Sequence, residues 1–335
     1  MKFGSQKNPL TQVNNQNQEK KQDKNNGNKK LATSEIIQKY REAGEIAKGA
    51  KELARKVTKP GVKVMEVCEK IEEYIKLKGG LPAFPVNVSI NSIAAHYSAY
   101  IADNLIIPKN SVVKVDLGVH IDGFIVDTAI TIYFSKKYDD LVKASKAALD
   151  AVINNIKPGI KLSLIGEIAE KTITDFGFRP IKNLFGHQIK RYNLHAGLSI
   201  PSTKDKSWYD SKKKIEAGKI YAIEPFATTG VRGLIDDGPD VSIFRFIATP
   251  QGSGVIINKA KNYLLKTGIL PFSPRWLAED INSVKEAKNI MKDLKILENR
   301  GIVYGYHTLV DVDEGVISQH EHTIRTTKTG VEVLT

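Results

Sequence analysis

Apolar side chains recur along this chain at two spacings. The first is helical: Ile36, Tyr40, Ala43, Ala47, Ala50, Ala54 and Val57 return every three or four positions. Thr33-Ser34 offers an N-cap at the front of this run, and Lys59-Pro60-Gly61 stops it. A second helical stripe passes through Val64, Val67, Cys68, Ile71 and Ile75 and ends at Gly79-Gly80. In residues 112–134, VVKVDLGVHIDGFIVDTAITIYF, the period drops to two. Val113, Val115, Leu117, Val119 and Ile121 share one face, and Asp122-Gly123 makes a turn. Beyond it the even positions Phe124, Val126, Thr128, Ile130, Ile132 and Phe134 take over, the parity change of a hairpin. The opposite face carries Asp116 and Asp127 beside the small Gly118 and Ala129. A turn at 121–122 sets the two carboxylates opposite each other, and a turn at 122–123 sets them diagonally; either way they lie roughly 4.5–8 Å apart. On the hairpin alone a solvated face explains them. Facing like charges are nevertheless unfavourable unless a cation or a shared proton lies between them.

The helical part of this pattern occurs twice. A helix from about Tyr138 to Ile156 stops at Lys157-Pro158-Gly159, and another follows. Residues 59–75, KPGVKVMEVCEKIEEYI, and 157–173, KPGIKLSLIGEIAEKTI, share seven of seventeen positions at an offset of 98. Each copy is followed by a histidine, His96 or His195, and then by strands. An internal duplication of two-helix, two-strand halves is expected, with a cleft between the halves where residues of both could meet.

Composition narrows the class. With 335 residues, 41% hydrophobic, the chain can build one large domain or two ordinary ones. A single cysteine, Cys68, excludes an internal disulfide framework and reads as core. No run approaches the ~20 apolar residues of a membrane span, so a soluble, cytoplasmic protein is expected. The net charge of +13 is uneven: residues 1–30 hold seven Lys against Glu19 and Asp23, with seven Asn and five Gln. Residues 1–32 therefore read as a disordered basic arm, either a solubilising tail or a segment that could touch RNA or the ribosome.

The second half has polar residues on strand-like stretches of its own. GHQIKRYNLHAG carries His187 and His195, GKIYAIEPFATTG carries Glu224 just before Pro225, and GVISQHEHTIRTT carries Glu321. Singly, each has a structural explanation, a hydrogen-bonded core histidine or a solvated strand-end glutamate. Together, Asp116, Asp127, His187, Glu224 and Glu321 make an oxygen-rich set with one imidazole. Such a set suits two divalent cations about 3.5–4 Å apart and is unlike a closed Cys/His zinc site. Hydrolysis of a peptide or ester bond by activated water is the reaction class that chemistry favours.

At these residues the sequence resembles the type II methionine aminopeptidases of the archaeal kind. The resemblance runs from about residue 33 to the last residue and rests on FPVNVSIN and AAHYSA (84–99), the Asp116–Asp127 hairpin, GHQIKRYNLHAGLSIP (186–201), AIEPFATTG (222–230) and EHTI (321–324). It implies the α+β pita-bread fold of the creatinase/aminopeptidase type, with pseudo-twofold related halves and a helical insertion. It also implies removal of the N-terminal methionine from nascent proteins when the second residue is small. In that family pattern Asp116 chelates one metal and His187 the other, Asp127 and Glu321 bridge the pair, and Glu224 binds the second metal and acts as general base. His195 would hydrogen-bond the scissile carbonyl. His96 would contact the substrate amide, and Phe84, Pro85, Asn87, Phe226 and Tyr306 would wall the methionine pocket. Co, Mn, Fe and Zn all accept such ligands. A monomer is implied.

The type II character rests on the 97 positions between Glu224 and Glu321. Residues 242–306 read as a helical insertion, with helical periodicity through Trp276, Leu277, Ile281, Val284, Ala287, Ile290 and Leu294 and a lysine-rich face that is solvated or turned to the ribosome. Residues 33–241 and 307–335 would then form the catalytic domain. Two departures from the family pattern stand out. His320 replaces a large apolar or aromatic residue and either adds a ligand or repacks, and His307 follows Tyr306 where proline is common. Rival readings are a proline-directed dipeptidase on the same fold, which the FPVN segment opposes, and an inactive RNA- or ribosome-associated relative, which the complete ligand set opposes.

Overall fold

The computed structural model describes residues 32–251 and 255–335. The basic arm thus lies, but for Ala32, outside the described residues. Helix α1 (Thr33–Val57) ends before Lys59-Pro60-Gly61, and α2 (Val64–Leu77) follows. Strands β1 (Leu81–Ile90), β2 (Ile93–Ala95), β3 (Val112–Ile121) and β4 (Phe124–Tyr133) complete the first half. The second half runs through α3 (Asp139–Asn155), α4 (Leu162–Asp175), β5 (Arg179–Pro180), β6 (Phe185–Ile189), β7 (Ser199–Pro201), β8 (Ile220–Ile223), β9 (Phe226–Thr228) and β10 (Ile235–Phe246). After an excursion containing α5 (Val255–Thr267) and α6 (Val284–Asn299), the chain returns through β11 (Val303–Asp311), β12 (Ile317–Gln319), β13 (His322–Thr326) and β14 (Val331–Val333). Residues 39–335 form one folded unit. Among the described residues no helix is long and apolar enough to cross a membrane.

The duplication is visible in the backbone. Helices α2 and α4 have 14 residues each and are offset by 98 positions at both ends. Each is entered through a left-handed glycine, Gly61 (φ 88°) or Gly159 (φ 90°), a conformation that admits glycine without penalty. Each entry strap is tied by an antiparallel bridge, Lys63 to Ile106 in one half and Lys161 to Lys214 in the other. The sheets match as well. In the first half the order is β1-β3-β4; in the second, β6-β8-β13 lies inside a five-stranded sheet. Asp116 thus lies on β3, the middle strand of the first three-strand set, and Glu224 directly after β8, the middle strand of the second.

The hairpin register settles the placement of its carboxylates. Ile121 faces Phe124, so the turn is Asp122-Gly123, both with positive φ as a type I′ turn requires. Asp116 faces Ala129 and Gly118 faces Asp127, the diagonal arrangement. The polar face is not solvated. Lys114, His120 and Asp127 are 1%, 2% and 4% exposed, which overturns the simplest reading of this hairpin. Strand β1 extends the same sheet beside β3, with register shifts around Pro82 and Pro85, the residues that cannot donate to the ladder. Gly118 is small because an added Cβ would sit 2.4 Å from the Phe84 ring of β1.

The excursion differs in detail from the periodicity that suggested it. The helix α6 starts at Val284, where Ser283 accepts a hydrogen bond from the Glu286 amide, the Ser-x-x-Glu capping signal. Trp276 and Leu277 belong instead to a separate 3-10 turn, Pro274–Leu277, and Ile281 to the connecting segment. A core of its own, including Phe244, Phe246, Phe272, Leu277, Ile290 and Leu294, packs the excursion against β10 and β11.

Candidate active site

Five segments converge on one buried group of polar atoms. Strand β3 brings Asp116, β4 brings Asp127, β6 brings His187, and the residues flanking β8 and β13 bring Glu224 and Glu321. Ligand atoms of Asp127, His187 and Glu321 all lie within 4.8 Å of one another. His187 Nε2 is 3.4 Å from Asp127 Oδ2 and 3.6 Å from Glu224 Oε1. Asp116 interacts closely with Asp127 and with His187. Local sequence places these atoms. Gly186 lets β6 approach β8, since a Cβ there would meet the Ala222 carbonyl at 2.4 Å, and Pro225 ends β8 just after Glu224.

Carboxyl groups are crowded here, and Lys51 is the cation that opposes the resulting shift at Glu321. Burial, then the neighbouring Asp127 and Asp116, raises the Glu224 carboxyl well above its ordinary range. Burial, with Asp127, Glu224 and Asp116 as neighbours, does the same to Glu321. Asp116 is raised by burial and by Asp127, and Asp127 is raised by burial to about 7. Burial lowers His187 to about 4, so its imidazole is a neutral donor of a lone pair. Asp116 Oδ1, Asp127 Oδ1 and Glu321 Oε1 are buried and lack a hydrogen-bond partner. Buried, crowded and unsatisfied carboxylate oxygens around a neutral imidazole fit a hard or borderline divalent cation, which satisfies them all at once.

The two other histidines border the group. The His195 ring lies 4.4 Å from that of His187 by centroids. The residue keeps exposure to solvent, while desolvation of its ring, then His187, His96 and Arg245, push it well below the ordinary imidazole range. His96, left-handed at φ 66°, has its Nδ1 3.1 Å from the His307 carbonyl oxygen and its ring against the edge of Tyr306. With the proton on Nδ1, its Nε2 is free to accept a hydrogen bond. Phe84, Pro85 and Asn87 lie buried on β1, where Asn87 pairs with Asp116 and donates to the Pro85 carbonyl. Phe226 is buried on β9 among Ala94, Ile181 and Ile317, away from the ligand atoms' own strands but paired with Gln319.

Gln319 was not singled out by sequence. Its Nε2 reaches Glu224 Oε2 at 3.5 Å and Glu321 Oε2 at 3.4 Å. The available signal is its spacing, two residues before Glu321 on the same face of an extended segment. Three threonines were missed as well: Thr128 donates to the Glu321 carbonyl, Thr131 to that of Gln319 and Thr323 to that of Asp127. His320 turns away from the group and contacts Ser145 of α3 at 2.9 Å, so it repacks and joins no ligand cluster among the described residues. His307 bonds the Gly238 carbonyl through its side chain.

A buried carboxylate–imidazole cluster between duplicated halves defines a metallohydrolase, and comparison with known proteins agrees: the metallopeptidase family M24 model matches residues 38–258, and the chain belongs to that family. A divalent metal is therefore part of its chemistry. Over 306 residues the chain is 42% identical to the methionine aminopeptidase of Methanocaldococcus jannaschii, covering 90% of this chain and 99% of that one. Among solved structures, a thermophilic Arx1 superposes with a TM-score of 0.77 at 17% identity, covering 91% of both chains. A methionine aminopeptidase from Thermotoga maritima superposes with a TM-score of 0.62 at 23% identity, covering 91% of this chain and 97% of that one. These structural matches establish the pita-bread fold.

Proposed function

We infer that this chain is a methionyl aminopeptidase that removes the N-terminal methionine from nascent proteins. The observation that carries the reading is the buried Asp127–His187–Glu321 group, flanked by Asp116 and Glu224, in a chain similar along nearly its whole length to an archaeal methionine aminopeptidase. We propose that Asp116, Asp127, His187, Glu224 and Glu321 would together hold two divalent ions. When bound, the ions supply Lewis acidity that makes a water nucleophilic near neutral pH.

The remaining work falls to the side chains. Glu224 is the general base that takes the proton from the attacking water. His195 donates a hydrogen bond to the scissile carbonyl oxygen, stabilising the charge that develops there. His96 accepts a hydrogen bond from the scissile amide N–H at Nε2, which its Nδ1 contact to His307 leaves available. Phe84, Pro85, Asn87, Phe226 and Tyr306 wall an apolar pocket for the unbranched thioether, and the rim at His96 and His195 admits only a small second residue. In this reading residues 33–241 and 307–335 are the catalytic domain, 242–306 the type II insertion, and the protein acts as a cytoplasmic monomer with Mn, Fe, Co or Zn. Residues 1–32 are proposed as a basic arm that could reach RNA or the ribosome.

The test is release of methionine from Met-Ala-Ser by metal-stripped protein resupplied with Mn or Co. Met-Leu-Ser, Ala-Pro-Ser and unsupplemented protein are the controls. Metal-dependent cleavage of Met-Ala-Ser alone is expected. Cleavage of Ala-Pro-Ser in its place would assign the chain to the proline-directed relatives, and no cleavage by folded protein with either metal would defeat the enzymatic reading.

A further inference from the structure

We propose that Arg275, on the excursion between β10 and β11, is a positioning residue for His96, so that the excursion helps to set the reaction geometry as well as the surface. The proposal rests on the reading of His96 as a substrate-contacting group. Arg275 and Glu72 of α2 form a buried ion pair, with side chains 1% and 4% exposed and Nη2 2.8 Å from Oε1. Glu72 is saturated by further donors: Arg275 Nη1 at 3.3 Å, Trp276 Nε1 at 2.7 Å and the Val86 amide at 3.1 Å.

The rest of the guanidinium is aimed at the loop that leaves His96. Arg275 Nε donates to the Ala99 carbonyl at 2.9 Å, and Nη2 donates to Ser98 Oγ at 3.3 Å. The Ser98 amide donates to Ser242 Oγ at 3.0 Å, and Ser242 donates to the His96 carbonyl at 3.4 Å. The chain from the insertion to the histidine is therefore continuous. It ends on a residue that needs holding, because His96 has φ 66° and a non-glycine residue keeps the left-handed conformation only where its surroundings impose it.

Holding the excursion in place does not by itself call for a buried charge. Phe244, Phe272, Leu277 and Leu294 already supply an apolar core, and well-packed apolar side chains commonly stabilise as well as a buried ion pair. What a guanidinium adds is direction: a planar fork fixes several donors at once, which an ammonium cannot do. Here the fork fixes Glu72 on one side and the Ala99 carbonyl and Ser98 hydroxyl on the other.

The experiment is a double-mutant cycle on metal-loaded, full-length protein with Met-Ala-Ser, combining Arg275→Met with His96→Ala. Arg275→Met alone should lower kcat by about 10-fold or more, the scale expected when a reacting group is misplaced, with a smaller change in KM. In the His96→Ala background the same substitution should lower kcat by less than about 2-fold, since the two losses are one. Arg275→Lys and Ser242→Ala, which leave the surrounding core intact, should each move the His96 imidazole Nδ1–H signal in NMR spectra and slow turnover by a smaller factor. They decide the matter if Arg275→Met does not fold. Multiplicative losses in the cycle, or an unmoved His96 signal in both milder variants, would overturn the proposal while leaving His96 its role. Full activity of His96→Ala alone would overturn the role of His96 and the proposal with it.

Discussion

His195 is exposed and stands against His187, and in the proposed mechanism it is not one of the metal ligands. His195→Ala is expected to reduce kcat by about 10²-fold, the scale of a lost oxyanion donor, while metal affinity measured by titration calorimetry changes far less. Equal loss of both would contradict its role. His120 makes a different kind of prediction. It is buried in the hairpin, where its Nδ1 accepts the Gly123 amide, and burial lowers its pKa from 6.5 to about 4. The folded state then binds fewer protons than the unfolded chain between these values. Stability contributed by neutral His120 is present above pH 6.5 and is lost as pH falls toward about 4, by up to about 3 kcal/mol. Urea unfolding at pH 7 and pH 4.5 should show this loss, and His120→Leu should shrink the difference between the two pH values even though it lowers stability at both.

Strand packing around the hairpin gives a prediction for glycine. Gly118→Ala would bring a methyl into the Phe84 ring, 2.4 Å from Cε1, and force that ring off β3. If Phe84 walls the methionine pocket, KM for Met-Ala-Ser should rise by several-fold, about the value of one to two methylene contacts, with kcat less affected. An unchanged KM would remove Phe84 from the pocket. The same scale shows what the sequence made legible. The hairpin parity, the paired Lys-Pro-Gly stops and the offset of 98 are local signals, and each corresponds to an element with matching bounds. Trp276, Leu277 and Ile281 fell on a helical spacing by coincidence, ahead of the cap at Ser283 where α6 begins. The bonds of the three threonines and the Glu72–Arg275 pair were not legible, because their partners lie far away in the sequence: Arg275 and Glu72 are 203 positions apart. The ligand candidates were found because carboxylates on apolar strands violate a local rule, and functional sites are where such violations concentrate.

In the whole molecule, the crowded carboxylates mean that the two halves meet at a point of mutual repulsion. Metal-stripped protein should therefore melt several degrees below the Mn-loaded form, in a manner that depends on metal concentration, since a ligand bound only by the folded state stabilises it by mass action. Calorimetry in the presence and absence of a chelator tests this, and identical melting temperatures would show that the cluster holds no cation. The threonine ties carry a further consequence, for the time at which the centre comes into being. Thr128 and Thr323 join β4 to the segment around Glu321 across 193 and 196 positions. Closing so wide a loop is entropically late, so helices and the first hairpin can form long before this seam does. A chain still being synthesised can have its first aspartates correctly arranged and yet no working centre until the residues around 321 have emerged. On the reading given above, a molecule that trims the beginnings of other chains gains its own cutting centre only after a loop of nearly two hundred residues has closed on itself.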